Sequence, residues 1–143
     1  MGMAMKLDNQ RRNLVLQIGQ STTATIHARK KWNDTGIQLI AGQEYQFTAA
    51  GRWVDWFIPC DAEGYPSRNW VLRVTERQRR VPGENWFVLM GALDSDRKSI
   101  FKIGSGRTLV MPQSGMLTCF ANDILYMYWN NKGAIQLTVT RTR

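Results

Sequence analysis

The chain has 143 residues, 43% hydrophobic and 21% charged, which excludes wholesale disorder and fits a single globular domain with a core. Its formal net charge of +8 favours encounters with anionic partners such as nucleic acid or acidic polysaccharide. The first residues lack the apolar core of a signal peptide, and no apolar run is long enough to span a bilayer. We therefore expect a cytoplasmic protein, with export by a route that needs no cleaved signal as the alternative.

The first half of the chain consists of short alternating segments separated by turns. Residues 1–10 are polar and unpatterned, and we expect a flexible segment there, followed by one domain over residues 11–143. Arg12–Ile18 and Ser21–Ala28 are rich in β-forming residues, and they are predicted to pair as a hairpin around Gly19–Gln20.

Ile37–Ile40 and Glu44–Ala49 predict two further short strands. Trp70–Val74 is predicted as another strand, and it leads into a basic loop. The uninterrupted apolar run Trp86–Leu93 is typical of a central strand that is buried on both faces. Ala134–Thr140 alternates cleanly between apolar and polar residues, as a half-buried strand does. Because no segment keeps a 3.6-residue period, we predict an all-β sandwich or barrel with little or no helix.

Motifs for catalysis are absent from the sequence. It contains no nucleophile elbow, no phosphate-binding loop and no zinc-protease motif. The lone histidine, His27, belongs to an alternating strand, where a structural role is expected. Cys60 and Cys119 have no metal-like spacing and are expected to be reduced thiols. We therefore predict a binding protein and no enzymatic activity.

A polar loop, residues 121–133, lies between an apolar run and the alternating strand that follows it. It holds one carboxylate, on Asp123, and the side-chain amides of Asn122, Asn130 and Asn131. Calcium accepts carboxylate, amide and carbonyl oxygens, about six to eight in all, so this loop is a candidate calcium site that water or ligand hydroxyls would complete. The alternative is a plain turn, since Asn, Asp and Gly are common turn residues.

The spacing of this loop resembles a known family. Asn122-Asp123, six residues, Asn130-Asn131, one residue and Gly133 are similar to the calcium and sugar loop of the galactophilic bacterial lectins of the PA-IL (LecA) family. Gly91-Ala92-Leu93 and Tyr45–Gly51 resemble further parts of that family, and the similarity covers roughly residues 30–141. The resemblance implies a jelly-roll β-sandwich of the galactose-binding-domain-like type and self-association into a homo-oligomer.

The resemblance also implies roles for individual residues. Calcium would be held by side-chain oxygens of Asp123, Asn130 and Asn131 and by the backbone carbonyls of Asp55 and Met127. A galactose-like sugar would meet Asp123, Asn130 and Asn131, with Tyr65 and Arg68 at the rim. Tyr65, Arg68, Met127 and Trp129 stand where the family has His, Gln, Thr and Gly. Trp129 either stacks on the sugar or fills the pocket and ends calcium binding.

Two alternatives come from other functional classes. A basic β-domain could bind nucleic acid or another polyanion through its Lys and Arg residues, which are dense from Arg73 to Arg80. An assembly subunit could keep the sandwich and have lost its ligand site. A calcium-dependent carbohydrate-binding protein is the function that the sequence favours.

Overall fold

The computed structural model describes residues 13–67 and 69–143. The predicted flexible segment 1–10 lies outside the described residues, as does Arg68. Within the described part, no helix is long and apolar enough to cross a membrane. The predicted all-β architecture is confirmed, because the strands form two sheets with a shared core between them.

Eleven strands are present among the described residues. In chain order they are β1 (Leu14–Val15), β2 (Ser21–His27), β3 (Asn33–Leu39), β4 (Glu44–Ala50), β5 (Trp53–Asp55), β6 (Ile58–Cys60), β7 (Leu89–Leu93), β8 (Phe101–Lys102), β9 (Gly106–Val110), β10 (Gly115–Ala121) and β11 (Asn131–Arg141). One sheet has the order β1-β3-β10-β7-β8. The other has the order β6-β5-β11-β4-β9, and β2 also pairs with β11. The last strand, β11, is therefore central to the second sheet.

The core lies between the inner faces of the two sheets. Strand β11 contributes Ile135, Leu137 and Val139, all fully buried, on alternate positions of its length. Phe47 on β4 packs at 5.9 Å from the ring of Phe101 on the opposite sheet. All five residues of β7 are buried, as the apolar run predicts. The strand begins only at Leu89, however, because Phe87 has a positive φ and donates its N–H to Asn122 O.

The predicted hairpin between the first two strand segments is wrong. Strand β1 runs parallel to β3, in the first sheet, whereas β2 pairs antiparallel with β11, in the second. The distant partner is favoured because it completes a ladder of hydroxyls: Ser21 Oγ lies 2.6 Å from Thr140 Oγ1, and Thr23 Oγ1 lies 3.0 Å from Thr138 Oγ1. The chain crosses from one sheet to the other at Gly19.

The strand predicted over Trp70–Val74 is a short helix, α1 (Trp70–Val74). Asn69 caps its N-terminus, since its side-chain Oδ1 accepts the N–H of Leu72 at 2.9 Å. The described residues also form three 3₁₀ segments, at Glu76–Gln78, Arg97–Ser99 and Leu125–Asn130. Both cysteines are buried free thiols, as predicted.

Candidate functional site

The candidate site lies at the end of the sandwich where β10 leads through the 3₁₀ segment Leu125–Asn130 into β11. Asn122, the first polar residue after β10, has a structural role: its amide donates to the carbonyls of Val81 and Asn85, both at 2.9 Å, and accepts the Val81 N–H. These bonds fix the loop before β7 against the candidate site.

A cavity of about 360 Å³ opens beside this loop. Four of the five predicted calcium ligands line it, namely Asp55, Asp123, Met127 and Asn130. The fifth, Asn131, is buried and pairs with Asp55 in the β11–β5 ladder. The fold thus brings together two segments that are nearly seventy positions apart in the chain. Tyr65, Asn69 and Thr75 also line it, and the remaining wall is apolar: Trp56, Phe57, Ile58, Val71, Leu72, Trp86 and Ile124.

Three buried side-chain oxygens accept no hydrogen bond in residues 13–67 and 69–143, and they are Asp123 Oδ2, Asn130 Oδ1 and Asn131 Oδ1. We call these three oxygens the acceptor cluster. The other ends of two of these side chains are held in place: Asp123 Oδ1 accepts the Ile124 N–H at 2.7 Å, and Asn131 Nδ2 donates to Ala28 O at 3.0 Å. A buried acceptor that lacks a donor costs about 1–3 kcal/mol. All three oxygens belong to predicted calcium ligands.

The electrostatics of the site place two carboxylates in a largely apolar pocket. Burial, and next the charge of Asp55, raise the pKa of Asp123 to about 7. The Ile124 N–H and the nearby Asn131 amide act in the opposite direction and lower the pKa of Asp123. The Asn131 amide nitrogen also donates a hydrogen bond to Ala28 O. Burial also raises the pKa of Asp55, against the Tyr65 hydroxyl that donates to Asp55 Oδ2. A cation or a proton in the pocket would relieve this repulsion.

Tyr65 was predicted at the rim of a sugar site, and the structure places it in the pocket wall instead. The side chain is 1% exposed, and its backbone exchanges hydrogen bonds with Trp86 at 2.9 and 3.0 Å. Burial and the charge of Asp55 raise the pKa of its hydroxyl, so it stays a donor. Tyr65 therefore orients Asp55, and its backbone fixes the floor of the pocket.

Trp129 lies outside the pocket wall and is 66% exposed, so it does not fill the cavity. Of the two tryptophans in the aromatic stretch after β4, Trp53 is fully buried, whereas Trp56 is 62% exposed beside the pocket. The wall that α1 contributes, through Val71 and Leu72, was missed by sequence reasoning because that segment was predicted as a strand. The sequence signal for this helix is Asn69, a residue type that commonly caps helix N-termini.

The basic stretch from Arg73 to Arg80 is partly structural. Arg79 is buried, lies 5.0 Å from the Trp86 ring centre and donates to Pro82 O. The Arg80 guanidinium lies 4.5 Å from the Trp32 ring and 3.5 Å from the Phe120 ring, and it donates to Tyr128 Oη at 3.0 Å. Arg79 is thus held inside the fold, and Arg80 is half-buried against aromatic rings.

No group of three or more His, Cys, Asp or Glu side chains that could hold a metal ion occurs in the part of the chain that the structure describes. A metal in this pocket would therefore depend on amide and carbonyl oxygens as well as on Asp123. Calcium accepts such oxygens readily, whereas zinc favours thiolate and imidazole ligands. The donor set fits calcium.

Comparison with known proteins identifies the fold. The N-terminal domain of EclA, described as a PllA-like lectin, superposes with a TM-score of 0.60 at 21% identity, over 83% of this chain and 94% of that one. Two structures of the metallopeptidase IMPa, one in complex with T-antigen and one from Pseudomonas aeruginosa, reach TM-scores of 0.47 and 0.46 at 13% and 12% identity. Each covers 92% of this chain and only 13% of the peptidase, and at these scores they support no inference.

No protein-family model matches the sequence, and a search of curated proteins returns no significant match. The chain thus shares its β-sandwich fold with this lectin domain, and at 21% identity the likeness concerns the fold alone.

Proposed function

We propose that the chain is a calcium-dependent carbohydrate-binding protein whose pocket takes galactose or a related sugar. The observation that carries the proposal is the acceptor cluster. Its buried oxygens, on Asp123, Asn130 and Asn131, lack a hydrogen-bond donor among the described residues, and a cation could take that place. The resemblance to the galactophilic lectins implies the same three residues as calcium ligands. A hard cation would satisfy all three oxygens at once.

Calcium would be held by the side chains of Asp123, Asn130 and Asn131 and by the carbonyls of Asp55 and Met127. When bound, the ion would supply a positive charge that attracts the hydroxyl oxygens of a sugar. The chain's own residues do the rest. Tyr65 holds the Asp55 carboxylate through its hydroxyl, and Asn131 is fixed by its bond to Ala28.

The apolar wall supports a sugar as the ligand. Trp56 and Phe57 project beside the pocket, and the C–H face of a pyranose packs well against such rings. The lectin description of the similar EclA domain supports the same ligand class. The sequence departs from the galactophilic pattern at Tyr65 and Arg68, so the preferred sugar is tested with galactose first.

The test is thermal unfolding of the purified protein in EDTA, in millimolar calcium, and in calcium with galactose. A ligand that binds only the folded state at a hundredfold excess stabilises it by about 2.7 kcal/mol, so calcium should raise the midpoint by roughly 6–10 °C. The Asp123→Asn variant should lose this shift. The matched control is Asp96→Asn, because Asp96 is exposed at a helix cap remote from the pocket and Asn caps equally well.

Absence of a calcium shift in the parent chain would contradict the metal role of the acceptor cluster. A calcium shift without any sugar shift would leave a calcium site and remove the lectin function. Oligonucleotide binding that falls steeply with salt and ignores EDTA would favour the polyanion prediction, which loses support from the internal roles of Arg79 and Arg80. A protein stable without either ligand and strongly self-associated would favour the assembly subunit. Homo-oligomer formation and cytoplasmic location stay predictions.

A further inference from the structure

Exposed apolar side chains are concentrated around the mouth of the pocket. Eleven large hydrophobic side chains of the described residues are exposed, and eight of them lie in the β5–β6 turn, in α1 and in the 3₁₀ segment before β11. We call these eight the exposed rim: Trp56, Phe57, Trp70, Val71, Val74, Leu125, Tyr126 and Trp129. Isolated exposed hydrophobics are ordinary, but a contiguous set marks an interaction site.

The three segments of the rim meet at the pocket. Each segment supplies wall residues to the same pocket, for example Trp56, Val71 and Met127. The Tyr126 hydroxyl donates to Gln78 Oε1 at 2.6 Å, which links the 3₁₀ segment to the chain that follows α1. Trp56 and Phe57 pack together with ring centres 4.5 Å apart. The rim is thus one surface around one opening.

Basic side chains accompany the rim. Arg73 lies in α1 and Arg77 in the turn after it, and both are exposed. Lys132 pairs with Val54 at the base of the β5–β6 turn and is also exposed. Three carboxylates nearby do not face the rim surface. Asp55 and Asp123 line the pocket. Glu63 accepts the Ser105 N–H and forms an ion pair with Lys102. Only Glu76, half-buried, offsets the positive charge within α1 and its following turn.

Protruding aromatic rings with a basic surround fit one kind of partner. Five of the eight side chains stand outside the pocket wall on two short separate segments, namely Trp70, Val74, Leu125, Tyr126 and Trp129. A deformable surface receives such projecting side chains better than a rigid protein face. Trp and Tyr favour the boundary between headgroups and acyl chains, and each nearby Lys or Arg adds attraction to anionic lipids. We propose that the exposed rim docks on an anionic lipid bilayer, with the pocket mouth held at the level of the headgroups.

The rim shares Trp56, Phe57 and Val71 with the wall of the proposed sugar pocket. The test of docking therefore uses vesicles without sugar headgroups and a buffer with EDTA, so that neither sugar nor calcium contributes to binding. Purified protein should sediment with phosphatidylcholine vesicles that contain phosphatidylglycerol, and much less with phosphatidylcholine alone. Trp fluorescence should shift to the blue on addition of the anionic vesicles, because Trp70 and Trp129 leave water.

The decisive variant is Trp70→Ser with Val74→Ser, since these side chains are 74% and 68% exposed and lie outside the pocket wall. It should partition into anionic vesicles roughly tenfold more weakly than the parent chain. The matched control, Ile18→Ser with Val110→Ser, removes two exposed apolar side chains away from the rim and should partition normally. An unchanged melting temperature verifies that each variant is folded.

A second variant, Arg73→Gln with Arg77→Gln, should weaken binding to anionic vesicles and leave residual insertion. Failure of the parent chain to sediment with anionic vesicles would overturn the proposal. Equal binding by the Trp70→Ser, Val74→Ser variant would also overturn it, since adsorption would then be due to net charge alone. The Trp70→Ser, Val74→Ser variant should keep the calcium-induced rise in melting temperature, because neither residue lines the pocket.

Discussion

At Asp123, burial and charge act on one carboxylate. One of its oxygens is bonded to the Ile124 N–H, the other belongs to the acceptor cluster, and the side chain shares the pocket with Asp55. A carboxylate in such surroundings destabilises the folded state when it is charged and unpartnered. The raised pKa of Asp123, about 7, expresses that cost.

The ion-free protein should therefore lose stability as the pH rises. The folded-state pKa of Asp123 lies above its ordinary value of 3.8, so the folded chain binds the proton more tightly than the unfolded chain does. The resulting stabilisation is full below about pH 4 and is lost as the pH rises through about 7. In EDTA, the melting temperature should fall by a few degrees between about pH 5 and pH 8 relative to the Asp123→Asn variant.

Calcium should remove this trend, because the ion replaces the proton as the partner of Asp123 and binds better as the carboxylate ionises. The raised pKa of Asp55 adds to the effect in the parent chain, so the difference between parent and variant isolates Asp123. Identical pH profiles for the parent and Asp123→Asn in EDTA would contradict a strained carboxylate at this position.

The sequence places Asp123, Asn130 and Asn131 in one loop, and the resemblance to the galactophilic lectins implies their role as calcium ligands, which stays a prediction. The roles of Tyr65 and Asn122 could not be predicted in the same way. Each depends on a partner from another segment, namely Asp55 for the Tyr65 hydroxyl and the loop at Val81 for the Asn122 amide.

At the scale of elements, the connection between β6 and β7 determines the pocket floor. Gly64 has φ +70°, and a Cβ built on it would lie 2.0 Å from Trp86 O and 2.5 Å from Val88 N. Both neighbours are backbone atoms and cannot turn aside. The close approach holds the adjacent Tyr65 in its bridge with Trp86.

Gly64→Ala should therefore destabilise the fold by about 3 kcal/mol or more, and calcium binding should weaken with it. Gly42→Ala is the matched control: Gly42 also has a positive φ, +83°, but a Cβ there meets nothing within 4 Å, so the cost should be about 1 kcal/mol. Urea unfolding midpoints at unchanged m-value measure the difference. An equal loss of unfolding free energy in the two variants would contradict this prediction, because it would mean that the backbone around Gly64 can accommodate a methyl group.

The type of an element could be predicted where a clear hydrophobic period determines it, as in the strands around Glu44–Ala49 and Ala134–Thr140. The type could not be predicted where a local capping residue outweighs the β propensity of the segment. Trp70–Val74 is rich in β-forming residues, yet the bond from Asn69 Oδ1 to the Leu72 N–H begins a helix there. Pairing was the least predictable property, since β2 bonds a strand more than a hundred residues away and not its neighbour.

At the scale of the whole molecule, both the fold and the candidate site depend on the last strand. Strand β11 pairs with β2 along seven positions, with β4 along six and with β5 along three. Its inner residues Ile135, Leu137 and Val139 are fully buried in the core that both sheets share. Asn131 enters the site through the β11–β5 pairing.

A chain that ends at Gly133 should consequently fail to fold, although it retains every predicted ligand of calcium. Removing residues 134–143 takes away the partner strand of β2 and one of the two partners of β4. It also exposes the inner face of the first sheet, so no cooperative core remains. Far-ultraviolet circular dichroism and thermal unfolding should show no transition, and calcium should produce no shift. A chain that lacks only Thr142 and Arg143 is the control, because these residues bond Glu44 at the surface and their loss should be minor. A cooperative transition in the shorter chain would instead show that the first sheet is stable alone, and the site would then be assembled from two separable units.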